Sequence, residues 1–219
     1  MPSTPQARAD RPAGVPVTWN WFSHAPLRGL AIERESLSIV ALDDARQLYR
    51  VHLQGRLESE TRLDDDIRLV ATSDTGQRTF VLGPGLYLKI LDRAGRIREQ
   101  ISLPFDPKAI AVDPFGDYIA LASSDARLAI LNRTGKVIGR AETPQAYRHL
   151  SFVPATGQWV AAAEQGVVAG HDAKGNLLWK ETMYSTIGNI ALDDAGRTVA
   201  LAAFGYGLVR FDADGRREG

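Results

Sequence analysis

Residues 91–95 read LDRAG, and the phrase returns at 131–135 as LNRTG, at 171–175 as HDAKG and at 211–215 as FDADG, with a looser copy, VHLQG, at 51–55. The glycines Gly55, Gly95, Gly135, Gly175 and Gly215 therefore recur every 40 residues. Three residues before each stand His52, Asp92, Asn132, Asp172 and Asp212. A short side chain that accepts backbone N–H bonds, followed by a glycine free to take the left-handed conformation, is the chemistry of a tight turn. Each copy is expected to hold a hairpin there, with His52 the weak match.

The same step carries the surrounding strands. Leu30, Val70, Ile110, Leu150 and Ile190 are followed two residues on by Ile32, Thr72, Val112, Phe152 and Leu192. That period-two pattern of apolar and β-branched residues predicts a strand. A turn at Ser36, Gly76, Gly116, Gly157 and Gly196 leads into a second strand, and Leu48, Leu88, Leu128, Val168 and Leu208 mark a third. Leu57, Ile97, Val137 and Leu177 mark a fourth, after the Asp–Gly turn. Four strands in 40 residues leave no room for a helix. The expected fold is all-β, a β-propeller of five four-stranded blades, because a blade of this size buries its faces only against neighbouring blades.

The blades are expected at about 27–62, 67–102, 107–142, 147–182 and 187–215, after a disordered tail over 1–14. The fifth copy has Arg217 where the others carry a fourth-strand apolar residue, while Val17 and Trp19 fall in step with Leu57 and Trp179. Residues 15–21 are therefore expected to complete the last blade and close the ring, which would leave no unpaired edge. The rival arrangement is an open arc, a fragment of a larger propeller or part of an assembly. A monomer is expected of a closed ring and a homo-oligomer of an open one.

Composition narrows the function. Of 219 residues, 26 are Lys or Arg and 26 are Asp or Glu, so no basic excess favours nucleic acid. Cysteine is absent, which removes thiolate chemistry and disulfides. The longest apolar runs are far short of a membrane span, and residues 1–14 lack a secretory apolar stretch, so a soluble, cytoplasmic chain is expected. Export stays open where a signal peptide has been removed. His24, His52, His149 and His171 show no zinc spacing, Asp43–Asp44 and Asp64–Asp66 show no calcium-loop alternation, and no GxSxG elbow or dinucleotide loop occurs. No catalytic residue, metal or cofactor is expected.

The repeats resemble those of WD-repeat and quinoprotein-like (YVTN-type) propellers, through GRTVALAAFGYGLVRFDADG (196–215) and GNLLWK (175–180). The resemblance covers about residues 15 to 215. Val51, Leu91, Leu131, His171 and Phe211 replace the tryptophan of the Trp-Asp dipeptide, and no Gly-His opens a blade, so the member is divergent. The resemblance implies a non-enzymatic interaction module that binds a protein or peptide through its loop face. On that face Phe105, Tyr147, Tyr184, Phe204 and Tyr206 are the candidate contacts, because large aromatics bury much area with few rotors. Phe105, Tyr147 and Tyr184 come from fourth-to-first connections, and Phe204 and Tyr206 from a second-to-third connection. The alternatives are a carbohydrate-binding or glycosidase-like propeller, with Asp66, Asp106, Glu142 and Glu181 as its acids, and a quinone-cofactor enzyme suggested by GNLLWK alone.

Overall fold

The computed structural model describes residues 19–193, 197–212 and 214–218. It contains five four-stranded antiparallel sheets, each a simple meander. Blade one holds β1 (Leu27–Glu33), β2 (Ser38–Asp43), β3 (Gln47–His52) and β4 (Leu57–Arg62). Blade two holds β5 (Leu69–Thr72), β6 (Thr79–Leu82), β7 (Tyr87–Leu91) and β8 (Ile97–Ser102). Blade three runs through β9 (Pro107–Val112), β10 (Tyr118–Ser123), β11 (Arg127–Asn132) and β12 (Val137–Glu142). Blade four runs through β13 (Tyr147–Val153), β14 (Gln158–Ala163), β15 (Val167–His171) and β16 (Leu177–Thr182). Blade five holds β17 (Ile187–Leu192), β18 (Thr198–Ala203), β19 (Gly207–Asp212) and the short β20 (Arg217–Glu218). The expected five-bladed, all-β propeller is the observed fold.

The turn chemistry takes the expected form. Asp92 Oδ1 accepts from the backbone N–H groups of Ala94 and Arg96, both at 2.9 Å, and Asn132, Asp172 and Asp212 repeat the arrangement. The five glycines take φ values between +77° and +87°, where a Cβ would be strained. His52 keeps half of the motif, its Nδ1 accepting from Gln54 N–H at 3.2 Å. In blades one to four the ladder between third and fourth strands slips by one residue beside this turn, for example between Ile90 and Leu91.

Between blades, one face of each sheet packs on the opposite face of the next. Val40, Leu42 and Leu48 of blade one share a core with Val81 and Leu91 of blade two. Phe80, Leu82 and Leu88 meet Leu121, Ala129 and Leu131 in the next seam. Leu128 and Ile130 meet Trp159, and Val160, Ala162 and Val168 meet Leu201, Val209 and Phe211. At these four seams the trailing face of one blade covers the leading face of its successor.

The fifth and first blades leave their corresponding faces uncovered. Leu48, Leu88, Leu128 and Val168 are buried at one repeat position, whereas Leu208 of blade five is 70% exposed. On the leading face of blade one, Leu30 is 60% exposed and Ile32 59%. The expected closure by residues 15–21 is corrected here: blade five takes its fourth strand from β20, paired through Arg210↔Glu218 and Phe211↔Arg217. Residues 15–18 of that segment lie outside the described residues. Trp19 and Trp21 pack instead on Ala41, Tyr49 and Val51 of blade one. The two indoles bury apolar surface there, with Trp21 edge-on to Tyr49 at 4.7 Å. The expected tail over 1–14 also lies outside the described residues.

Candidate functional site

Both expected sets of loops gather at one end of the blades, because in blades one to four the fourth-to-first loop is hydrogen-bonded to the second-to-third turn. Leu63 N–H donates to the Arg46 carbonyl, Leu103 to Leu86, Thr143 to Ala126 and Met183 to Gly166, at 2.8–2.9 Å. Leu63, Leu103 and Met183 are buried by this stitching. The loops are thus anchored at their first residue and expose the residues that follow.

Three of the five expected aromatics reach the surface. Tyr184 is 92% exposed, Phe204 86% and Tyr206 53%. Phe204 N–H donates to the Thr186 carbonyl at 2.8 Å, and Ser185 Oγ bonds the Phe204 carbonyl, so Tyr184 and Phe204 stand on adjoining, mutually bonded loops. Tyr206 closes the same turn, its N–H on the Ala203 carbonyl at 3.1 Å.

The other two are withdrawn from the surface. Tyr147 is the first residue of β13 rather than a loop residue, and it is fully buried among Ala109, Ala122 and Ala161. Its hydroxyl lies 2.9 Å from His171 Nε2, and His171 Nδ1 lies 2.9 Å from the Gly175 carbonyl. A carbonyl only accepts, so Nδ1 carries the proton and Tyr147 donates to Nε2. Burial raises the Tyr147 pKa and lowers that of His171. Phe105 is buried in the seam between blades two and three, with the Arg127 guanidinium 4.9 Å over its ring. Its exposed edge borders a cleft of about 310 Å³ with Pro104, Arg140 and Glu142.

A row of cations stands at the same end. The second residue of each inner strand is Arg28, Lys108 or Arg148 in blades one, three and four, and Arg68 holds the same repeat position just ahead of β5. Arg28 bonds Asp44 at 2.9 Å and also Asp66 of the next loop, while Arg68 bonds Asp106 one repeat later. Lys108 turns back to Asp106 at 2.8 Å. The Asp place is then taken by Ala146 and Thr186, and among the described residues exposed Arg148 has no carboxylate within 4.0 Å. The signal was legible as a cation and an acid both in step with the 40-residue period. Arg148, Lys108 and Asn189 line a cleft of about 180 Å³ with Val70 and Ile110, where four inner strands converge.

The candidate acids are dispersed. Asp66 and Asp106 stand in successive loops, each held by arginine, and the Arg68 and Lys108 partners lower the Asp106 pKa to about 2. A carboxyl held that far down carries no proton to donate near neutral pH. Glu142 pairs in register with Arg127, and exposed Glu181 lies in β16 beside Val168. Lys89 binds Asp65, so the Asp64–Asp66 run is partly committed to ion pairs. Among the described residues no group of three or more histidines and acids is placed to hold a metal ion, and no helix is long and apolar enough to cross a membrane.

These features define an all-β propeller of five four-stranded blades with aromatic side chains exposed at one loop end. Among solved structures the chain is similar to the β-propeller domain of Myceliophteria thermophila Cps50 (Swd1), with a TM-score of 0.69 at 14% identity, over 88% of this chain and 72% of that one. No protein-family model and no curated protein sequence matches the chain.

Proposed function

We propose that this chain is a non-enzymatic interaction module whose loop end binds a protein or peptide. The observation that carries the reading is the placement of Tyr184 and Phe204, almost fully exposed on two loops bonded to each other at a rigid sheet end. Water-exposed aromatic surface of this size, on a frame that needs no reordering, is what an interface anchor uses. Arg148, on the inner strand of the adjacent blade, supplies a cation for an acidic group on the partner. A glycosidase-like reading is disfavoured by the ionised state of Asp106 and by the arginine bound to Asp66.

The experiment is affinity capture from native lysate with wild type, a Tyr184→Ala/Phe204→Ala/Tyr206→Ala variant and an outer-strand Arg98→Ala variant, followed by binding measurements on the captured partner. Each aromatic substitution should weaken binding by about 1–3 kcal/mol with unchanged melting temperature. Arg98, exposed and bonded to Asp92, should contribute nothing. Loss of the partner in the Arg98 variant alone would show that the binding surface is the outer rim.

A further inference from the structure

The pairing of cations with acids around the inner strands stops part of the way along the repeat. Arg28 of blade one holds Asp66 at the entry to blade two, and Arg68 holds Asp106 at the entry to blade three. By the same step Lys108 would hold residue 146 and Arg148 residue 186, but these are Ala146 and Thr186. Lys108 turns back to Asp106, which Arg68 already holds, and Arg148 makes no ion pair among the described residues. Two consecutive acid places are thus vacant, each one step ahead of a cation.

Both cations border the cleft of about 180 Å³ where β5, β9, β13 and β17 converge. Its other polar side chains are His149 and Asn189. Asn189 Oδ1 accepts from the Ile190 N–H at 2.9 Å, so the part of the amide left to offer is the Nδ2 donor. The Lys108 ammonium has three N–H groups, of which Asp106 takes one. Burial lowers the His149 pKa, so its ring adds no charge at pH 7. Among the described residues no acidic side chain lines the cleft, and Glu164 borders Arg148 in a neighbouring cleft of about 140 Å³ without pairing to it. The walls are apolar and half-buried, formed by Val70, Ile110, Leu150 and Ile190.

We propose that this cleft seats the carboxylate of a glutamate side chain carried by the peptide or protein that docks at the loop end. Arg148 and Lys108 hold the carboxylate oxygens through charge-assisted hydrogen bonds, and Asn189 adds a neutral one. The apolar walls select among anions. They gain nothing from phosphate or sulfate, which are polar all round, whereas they take the two methylenes of a glutamate stem out of water. Continuity with the aromatic loops selects the source, because Asn189 lies in β17, the strand that leaves the Tyr184 loop. The proposal rests on the loop-end reading above and adds to it the residue type that is recognised.

The probe is butanoate, which has the carboxylate and stem of a glutamate side chain, titrated into the isotope-labelled protein and followed by NMR. Shifts should appear at the Arg148 guanidinium, the Asn189 side-chain amide and the Ile110 and Ile190 methyls, with a dissociation constant on the order of 1–10 mM. Acetate, two methylenes shorter, should bind about fifteenfold more weakly, at roughly fourfold per buried methylene, and inorganic phosphate should leave the isoleucine methyls unmoved. Arg148→Gln should weaken butanoate at least about tenfold. Thr186→Asp, which restores an acid at the step held by Asp66 and Asp106, should do the same by pairing with Arg148, and both variants should keep the parent melting temperature. The Tyr184→Ala/Phe204→Ala/Tyr206→Ala variant should bind butanoate as wild type does, so the cleft and the aromatic contact fail separately. No shift at all, equal binding of butanoate, acetate and phosphate, or butanoate binding that survives Arg148→Gln would overturn the site. A captured partner that binds the Arg148→Gln variant as tightly as wild type would overturn the assignment of the carboxylate to that partner.

Discussion

The Arg50 guanidinium and the Glu33 carboxylate form a two-pronged ion pair, with Nε and Nη2 at 3.0 and 2.8 Å from Oε1, sealed in the seam between blades one and two. Both side chains are almost wholly buried. Glu33 also accepts from Ser36 and Thr72, and Arg50 also donates to Thr79 and the Arg93 carbonyl. At the Arg50 repeat position blades two and three carry Ile90 and Ile130, so a charge pair replaces the usual apolar plug at this one seam. Removing one partner leaves a buried, uncompensated charge. Arg50→Leu should cost about 3–5 kcal/mol in urea unfolding, whereas Arg50→Leu with Glu33→Leu should cost much less. Equal losses in the single and double variants would show that the pair carries no such coupling.

A second prediction concerns acidification. Burial lowers the His171 pKa in the folded protein, so below the ordinary histidine value of about 6.5 the unfolded chain binds the proton first. The stability from neutral, buried His171 is therefore present above pH 6.5 and is lost as pH falls toward the folded pKa. His149, half-buried and shifted the same way by burial, adds to the slope. His171→Gln should cost about 1 kcal/mol at pH 7.5 through the bond with Tyr147, yet lose less further stability between pH 7 and pH 5 than wild type does. Parallel pH profiles for the two proteins would refute this.

The Asp106 carboxylate gives the opposite window. Arg68 and Lys108 lower its pKa from 3.8 to about 2, so its contribution is full above pH 4 and disappears as pH falls through 2. The side chain is 45% exposed, so solvent screening limits the contribution to under about 1 kcal/mol. Asp106→Asn should show that small deficit at pH 7 and none near pH 2, and 0.5 M salt should shrink it at pH 7. A deficit that persists at pH 2 would mean that packing, not charge, is at stake.

What the sequence revealed followed from chemistry repeated in register. The Asp–Gly turns and the period-two strands were legible because each copy needs the same left-handed glycine and the same alternating face. The open faces were not legible, because Leu30 and Leu208 are the same kind of residue as their buried counterparts, and pattern alone does not say whether a neighbouring blade is present. Tyr147, expected as a loop aromatic, shares its repeat position with Ile67 and Ile187, both buried at the entry to an inner strand. That periodicity was the available signal. Phe105 carried none, since Asp65, Gln145 and Ser185 hold its place elsewhere.

The last prediction concerns the N-terminal tryptophans. Trp19 and Trp21 shield Ala41, Tyr49 and Val51, so deleting residues 1–22 should lower stability by about 3 kcal/mol or more through re-exposed apolar surface. Deleting residues 1–12 should have no effect in the same urea titration. Gly55 makes the contact specific. Its φ of +85° strains any other residue, and a Cβ there would press on the Trp19 ring at 3.0 Å. Gly55→Ala therefore carries two costs, backbone strain and displacement of the indole, of which only the first survives when Trp19 is already alanine. In a double-mutant cycle Gly55→Ala should cost about 1 kcal/mol more in wild type than in Trp19→Ala. A coupling of zero would mean that Trp19 does not rest on this turn in solution.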